Sequence, residues 1–307
     1  MKRILGTAAC AVALTAVEAM ADSTATRNMI FEGDLSFGQI SRSGTAVNSS
    51  GSPLAEIEDV TTFAISGLAA VPLGQNLLAQ IEIDVEGTDY PSTVGGDEAN
   101  DTYDASGNLG LQFGYQFNQG YVGGFAGVGE VDSSDTDGEQ DADYTIAGLG
   151  GQWATGDWLL GAQVGQFDSE AEDPEVPSDV TFGRIIGQRF FNNGQSKLLL
   201  DVAFAEGEQD ADSDTPDEME FTRYGMEFEQ MLGIDMFGGT TSVYGSAYHL
   251  DIAETDEDGD IDRANDLSVG LGMRIRFGAS NLQDRALGTA PDLPDVARWI
   301  GATPVVD

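Results

Sequence analysis

The sequence predicts an all-β protein, a transmembrane antiparallel up-and-down β-barrel of about twelve strands, with short turns at one end and long acidic loops at the other. Three observations predict it. The amino terminus is laid out as an export signal, stretches of about ten residues alternate between apolar and polar side chains, and the connections between them are short and long by turns.

The opening segment carries Lys2 and Arg3, an apolar run from Ile4 to Val17, and the small-x-small pattern Ala19-Met20-Ala21. These are the parts of a cleaved secretory signal. The expected division is 1–21 signal, 22–278 barrel and 279–307 carboxyl-terminal tail, periplasmic or lumenal. The apolar run falls short of the roughly 18 to 20 residues that a spanning helix needs, and no later stretch supplies them. Cys10, the one cysteine, lies inside the signal. Thr7-Ala8-Ala9 before it lacks the branched apolar residue of a lipid-attachment site. Past the signal, disulfides, thiolate metal sites and cysteine nucleophiles are excluded.

Charge sets a further bound. Lys and Arg number 13 against 53 Asp and Glu, and removing Lys2, Arg3 and Glu18 takes the formal charge from −40 to −41. A surface this acidic repels phosphate backbones, so no nucleic-acid partner is expected, and salt or divalent cations ease its self-repulsion.

Periodicity gives the strands. Leu77, Ala79, Ile81, Ile83 and Val85 share one face of an extended segment, and Gln80, Glu82, Asp84 and Glu86 the other. Leu109, Leu111, Phe113, Tyr115 and Phe117 oppose Gly110, Gln112, Gly114 and Gln116 in the same way. The last strand sets Leu267, Val269, Leu271, Met273, Ile275 and Phe277 against Ser268, Gly270, Gly272, Arg274 and Arg276.

Short turns are expected at Pro72-Leu73-Gly74-Gln75, Asn118-Gln119-Gly120, Thr155-Gly156-Asp157, Asn192-Asn193-Gly194 and Gly238-Gly239. Long acidic loops are expected over Arg42–Glu56, Thr88–Ala105, Asp132–Asp143, Asp168–Asp179, Gly207–Glu218 and Ala253–Asn265. They delimit strands at 29–41, 57–71, 76–87, 106–117, 121–131, 144–154, 158–167, 180–191, 197–206, 219–231, 240–252 and 266–277. An even count puts both barrel ends at the periplasmic side, and closure leaves no unpaired edge in lipid.

Aromatic residues bracket the short turns: Phe117 with Tyr121, Trp153 with Trp158, Phe190 with Phe191, and Phe277 at the end. They are expected to form the periplasmic-side girdle. A soluble barrel would instead bury them as end packing, but it would also fill its interior with apolar side chains. Here the inner face would hold Glu82, Asp84, Glu86, Gln112, Gln116, Asp201, Arg274 and Arg276.

The signal, the Gly- and aromatic-rich alternating strands, the acidic loops and the final strand Leu267–Phe277 together resemble Gram-negative porins, most of all the small porins of alphaproteobacteria. The resemblance covers Met29 to Phe277 and is one of pattern rather than of a diagnostic motif. General porins usually have sixteen strands and a Pro-Glu-Phe-Gly-Gly-like constriction loop, of which only Tyr90-Pro91 and Gly95-Gly96 bear a trace. They also end at the terminal aromatic, whereas this chain runs thirty residues past Phe277, through Leu293-Pro294-Asp295-Val296-Ala297-Arg298-Trp299-Ile300. That tail is open to three readings: a periplasmic peg, a lumen plug or a disordered end. The resemblance implies an outer-membrane location, passive diffusion of ions and small hydrophilic solutes, lipid and lipopolysaccharide as neighbours, and a homotrimer.

Glu82, Asp84 and Glu86 climb one wall of the upper lumen and, with Gln112, Gln116 and Asp201, are the expected pore lining. Carboxylates in a narrow aqueous passage favour cations, so cation preference is expected; a merely solvated wall is the bland alternative. Arg274 and Arg276 would meet Glu32 and Asp34 across the barrel seam, fixing register. Arg184 and Arg223 are assigned to the lumen because lipid-facing arginine costs about 2 to 4 kcal/mol at mid-barrel. Gly110, Gly114, Gly270 and Gly272 on the inner face leave volume, which favours a passage over a plug.

No enzyme is expected. His249, the one histidine, lies in Tyr248-His249-Leu250-Asp251, a His-x-Asp pair that with Glu82 and Asp84 resembles omptin-type proteases only weakly. No cofactor is expected either. Glu254–Asp260 resembles a calcium loop, with Asn265 in place of the final glutamate, and Asp135–Gly138 meets Tyr144 there, which points to weak Ca²⁺ or Mg²⁺ association at most. Gly-Glu-Gln-Asp-Ala-Asp occurs at 138–143 and 207–212 without matched flanks, as shared loop bias. A non-conducting adhesin or envelope barrel is the alternative function.

Overall fold

Residues 28–44, 60–89, 103–134, 139–171, 176–209, 217–255 and 261–301 are described in a computed structural model. The expected signal, 1–21, lies outside them. Twelve strands run in chain order: β1 (Ile30–Gly44), β2 (Val60–Leu73), β3 (Leu77–Asp89), β4 (Tyr103–Phe117), β5 (Gly120–Ser134), β6 (Glu139–Thr155), β7 (Trp158–Ala171), β8 (Ser178–Phe191), β9 (Ser196–Gln209), β10 (Asp217–Met236), β11 (Gly239–Thr255) and β12 (Ile261–Phe277). Each pairs antiparallel with its sequence neighbour, and β1 pairs with β12 to close the barrel. Two short helices follow, α1 (Leu282–Gly288) and α2 (Val296–Ile300).

The alternation read from sequence sorts side chains between the faces. Leu35, Phe37, Ile65, Leu111, Phe113, Val128, Leu149, Val164, Ile185, Phe204, Met226 and Leu271 stand exposed on the outside. An apolar band this continuous on a closed barrel belongs in lipid, where a closed ring satisfies its own backbone.

The strands are longer than expected at the loop end. β5 and β6 leave only 135–138 between them, and β11 and β12 only 256–260, so most of the expected loops Asp132–Asp143 and Ala253–Asn265 is ladder. Periodicity missed these extensions because a strand that has left the bilayer no longer needs an apolar face. The expected calcium-like segments fall mainly on 135–138 and 256–260, outside the described residues.

The aromatic girdle needs correction at two positions. Tyr121 and Phe190 are buried in the interior, while Trp153 and Trp158 are exposed on the outside. Neighbouring strand residues point to opposite faces, so Phe190 and Phe191 could not share one. On the outer face Phe117 packs on Trp153, ring centroids 5.5 Å apart, and Arg189 lies over both Trp158 (5.2 Å) and Phe191 (5.0 Å).

Candidate functional site: the occupied lumen

The half of the lumen nearer the short turns holds an ion-pair network. Strand register sets Glu32 beside Arg276 and Asp34 beside Arg274 across the β1–β12 seam. Arg276 Nε donates to Glu32, and Arg274 Nε lies 2.5 Å from Asp34 Oδ2. The same two arginines reach across to β10: Arg274 forks onto Glu227 (2.6 and 2.8 Å) and meets Glu229 at 3.1 Å, while Arg276 meets Glu229 at 2.5 Å. Lys197 completes the set at 3.1 Å from Glu227 and 2.8 Å from Glu229. The sequence reading missed Lys197, Glu227 and Glu229, although each sits at an inward position of its strand's alternation.

Higher up, Asp201 on β9 lies between two arginines. Arg184 grips it bidentately (2.9 and 2.8 Å), and Arg223 approaches at 3.2 Å while lying over the Tyr248 ring at 4.2 Å. All three side chains are at most a tenth exposed; Asp201 offsets one of the two positive charges, and Arg223 also lies 3.8 Å from Asp295.

Past Phe277 the chain turns back into its own barrel. Gly278 adopts φ +86°, and a Cβ there would stand 1.7 Å from the Met29 carbonyl oxygen, so glycine alone allows the turn. Asn281 caps α1, its side-chain oxygen accepting from the Asp284 N–H at 2.8 Å. Arg285 then joins the basal network, 3.0 Å from Glu32 and 2.9 Å from Asp292.

Residues 286–293 have no ladder partner, and barrel side chains supply their hydrogen bonds. Gln116 donates to the Leu287 carbonyl (2.6 Å), Gln152 to those of Ala286 (2.8 Å) and Thr289 (2.7 Å), and Gln112 to that of Pro291 (2.7 Å). Gln80 accepts from the Ala290 N–H at 2.9 Å, and Glu82 from the Leu293 N–H at 2.9 Å. Arg184 donates to the Asp292 carbonyl at 2.8 Å. Glutamine suits this task because one amide both donates and accepts without bringing a charge to be neutralised. Each such bond contributes about 0.5–1.5 kcal/mol, and leaving the tail carbonyls bare would cost more.

Above the glutamines the lumen becomes apolar. Trp299 of α2 is buried among Phe167 (centroids 5.8 Å), Phe182 (5.8 Å, edge-on) and Phe221 (6.2 Å, stacked). Val296 and Ile300 join the same core, with Tyr144, Ile146, Val180 and Ile252 from the wall. Arg298 closes one side, 2.6 Å from Glu86.

The expected pore-lining residues Glu82, Asp84, Glu86, Gln112, Gln116, Asp201, Arg184, Arg223, Arg274 and Arg276 all point inward, and the correction concerns what they line. Glu82, Glu86, Gln112, Gln116 and Arg184 contact the tail; Asp201, Arg223, Arg274 and Arg276 pair mainly with the wall. Of the voids among the described residues, one beside Arg285 and Gln152 and one beside Arg223 and Tyr248 leave about 10 and 20 Å³ for water, roughly one molecule each. The passage expected from the inner glycines is likewise filled: a Cβ on Gly110 would meet Leu293, one on Gly114 would meet Tyr121, and one on Gly272 would meet Tyr244, while Gly270 faces Ser246. Small residues here admit a neighbour's side chain rather than solute.

His249 packs on Tyr224, ring centroids 4.9 Å apart, and Tyr224 is exposed on the outer face. The barrel wall therefore separates His249 from Glu82 and Asp84. Among the described residues no group of three or more His, Cys, Asp and Glu is placed to hold a metal ion.

No family model matches the chain, and no curated protein matches it. Solved structures do, at low identity. An outer membrane channel from Pseudomonas putida is 10% identical with TM-score 0.49, covering 84% of this chain and 100% of that one. A Pseudomonas aeruginosa FadL homologue is 10% identical with TM-score 0.38, over 82% and 90%. The outer membrane protease OmpT of Escherichia coli is 9% identical with TM-score 0.33, over 84% and 100%. These are likenesses in barrel architecture and carry nothing about activity. Class follows from the chain's own geometry: an even-numbered, closed, antiparallel barrel with a lipid-facing apolar band and a polar lower lumen is an outer-membrane β-barrel. This one is filled by its own carboxyl-terminal segment.

Proposed function

We propose that this protein is a porin-type outer-membrane channel held shut by its carboxyl-terminal segment, passing ions and small hydrophilic solutes by diffusion when that segment leaves the lumen. The observation that carries this reading is the glutamine-lined lower lumen, whose polar groups are satisfied by a tail joined to the barrel only through Phe277-Gly278. With the tail gone, those amides would face water at no loss. Release would also take Arg285 from Glu32, the Leu293 N–H from Glu82, and Arg298 from Glu86. Newly uncovered carboxylates would then favour cations. Weak Ca²⁺ or Mg²⁺ binding at the acidic loops, bridging to lipopolysaccharide, and a homotrimer belong to the same proposal.

The apolar seal around Trp299 favours a second reading, a permanently closed envelope or adhesin barrel. Reversal potentials across a planar bilayer holding the chain ended at Gly278 separate the two. Cation-preferring conductance is expected. A silent shortened barrel supports the second reading, and anion preference overturns the electrostatic part of the first.

A further inference from the structure

We infer that the slot holding Trp299 is a binding site for a small neutral aromatic solute, of one ring or two fused rings, which frees the tail by taking the indole's place. The inference rests on the releasable tail proposed above and names what releases it.

Strand register lays the slot down. Phe182 on β8 and Phe221 on β10 both stand opposite Ala205 on β9, so two inward phenylalanines flank one inward methyl group. Their Cα atoms are then two interstrand spacings apart, roughly 9 to 10 Å. One aromatic ring fills such a gap, because ring centroids pack about 4.5 to 7 Å apart. The indole of Trp299 does so. It stacks on Phe221 at an interplanar angle of 24° and meets Phe182 edge-on at 75°, with the Phe167 ring of β7 5.8 Å away. Phe125 backs Phe182 at 6.2 Å.

The tail below is held differently. Gln112, Gln116, Gln152 and Arg184 bind backbone carbonyls between Ala286 and Asp292, groups that a peptide supplies and a small aromatic does not. Trp299 meets the wall ring to ring, and a free aromatic molecule offers the same surface. The guest is neutral because a charge among phenyl rings would be desolvated without a partner. Guest and indole exclude one another: the void beside Arg223, Tyr248 and Leu250, the last a member of the same apolar cluster, takes about one water and not a second ring. Phe167, Phe182 and Phe221 each stand four residues from the loop end of their strands, so a solute entering there reaches the slot before the glutamines. A solute that binds only the vacated slot multiplies the ratio of released to docked tail by one plus its concentration over its dissociation constant.

The probe is indole, and the protein is the full chain folded in detergent micelles, with heat-modifiable gel mobility showing that each variant has folded. Calorimetry on Trp299→Ala should find one indole bound per chain. On the unsubstituted chain, trypsin cleavage after Arg285 and Arg298 reads release of the tail. Indole at about ten times its dissociation constant should speed that cleavage about tenfold, and glucose should not. The double variant Phe182→Leu, Phe221→Leu should lose the response. No indole uptake by folded Trp299→Ala, or unchanged cleavage of the unsubstituted chain, overturns the inference. An equal response in the double variant overturns it too, since indole would then be acting elsewhere. Release of the tail by indole in a barrel that stays silent in a planar bilayer supports the slot and sinks the channel reading alone.

Discussion

Gly110 on β4 and Leu293 in the tail are fitted to one another: a Cβ on residue 110 would stand 1.9 Å from Leu293 Cδ1. An alanine there is absorbed by a change of leucine rotamer, because the obstructing atom ends a flexible side chain. A phenylalanine is not. Gly110→Phe should weaken tail docking by about 1–3 kcal/mol, the usual range for overpacking. The check is protease sensitivity of the tail in the folded barrel, expected to rise for Gly110→Phe and hardly at all for Gly110→Ala; equal resistance in both would mean that Leu293 does not lie there.

Trp299→Ala removes the largest side chain of the upper seal. Truncations of buried tryptophan cost about 3–5 kcal/mol. At 1.4 kcal/mol per factor of ten, the open fraction should rise by roughly 100-fold or more. Single-channel recordings of full-length protein read this as a higher frequency of opening bursts. An unchanged burst frequency would mean that the tail does not gate conduction.

Asp201 is shared by Arg184 and Arg223, and Arg223 also lies 3.8 Å from Asp295. Asp201→Asn keeps the shape but leaves two buried guanidiniums without their carboxylate, a change that costs about 3–5 kcal/mol when a buried pair is broken. Thermal unfolding in detergent micelles should show a clearly lower Tm, and tail protection should fall too, since Arg184 also holds the Asp292 carbonyl. A Tm equal to the parent's would show that water, not Asp201, compensates these arginines.

His249 stands outside the lumen against Tyr224. His249→Ala should leave conductance, ion preference and tail protection as they are, and any change beyond a small loss of stability would put the side chain on the wrong face.

Much of this arrangement was legible in the residues. Alternation in Leu77–Glu86 and Leu267–Phe277 placed inner and outer faces, and the same rule set Glu32 and Asp34 opposite Arg276 and Arg274. The tail's destination was not, because α1 and α2 are seven and five residues long, too short for a periodic signal, and their partners are remote in sequence, Glu32 lying 253 residues before Arg285 and Glu86 212 before Arg298. A signal was nevertheless present. Phe125, Phe167, Phe182 and Phe221 occupy inward positions where an aqueous lumen needs no phenylalanine, and inner glutamines recur at 80, 112, 116, 152 and 163. Rings that face inward imply an apolar occupant, and uncharged amides imply backbone to bind.

Whether the tail occupies the lumen in the membrane is tested most directly by a Gly110→Cys, Leu293→Cys pair in cells, in a Cys10→Ala background that supplies no other thiol. Oxidation should form an intrachain disulfide in the folded barrel, with little free thiol left to modify. Two thiols that stay free and reactive under the same oxidant would contradict a lumen filled by the carboxyl-terminal segment.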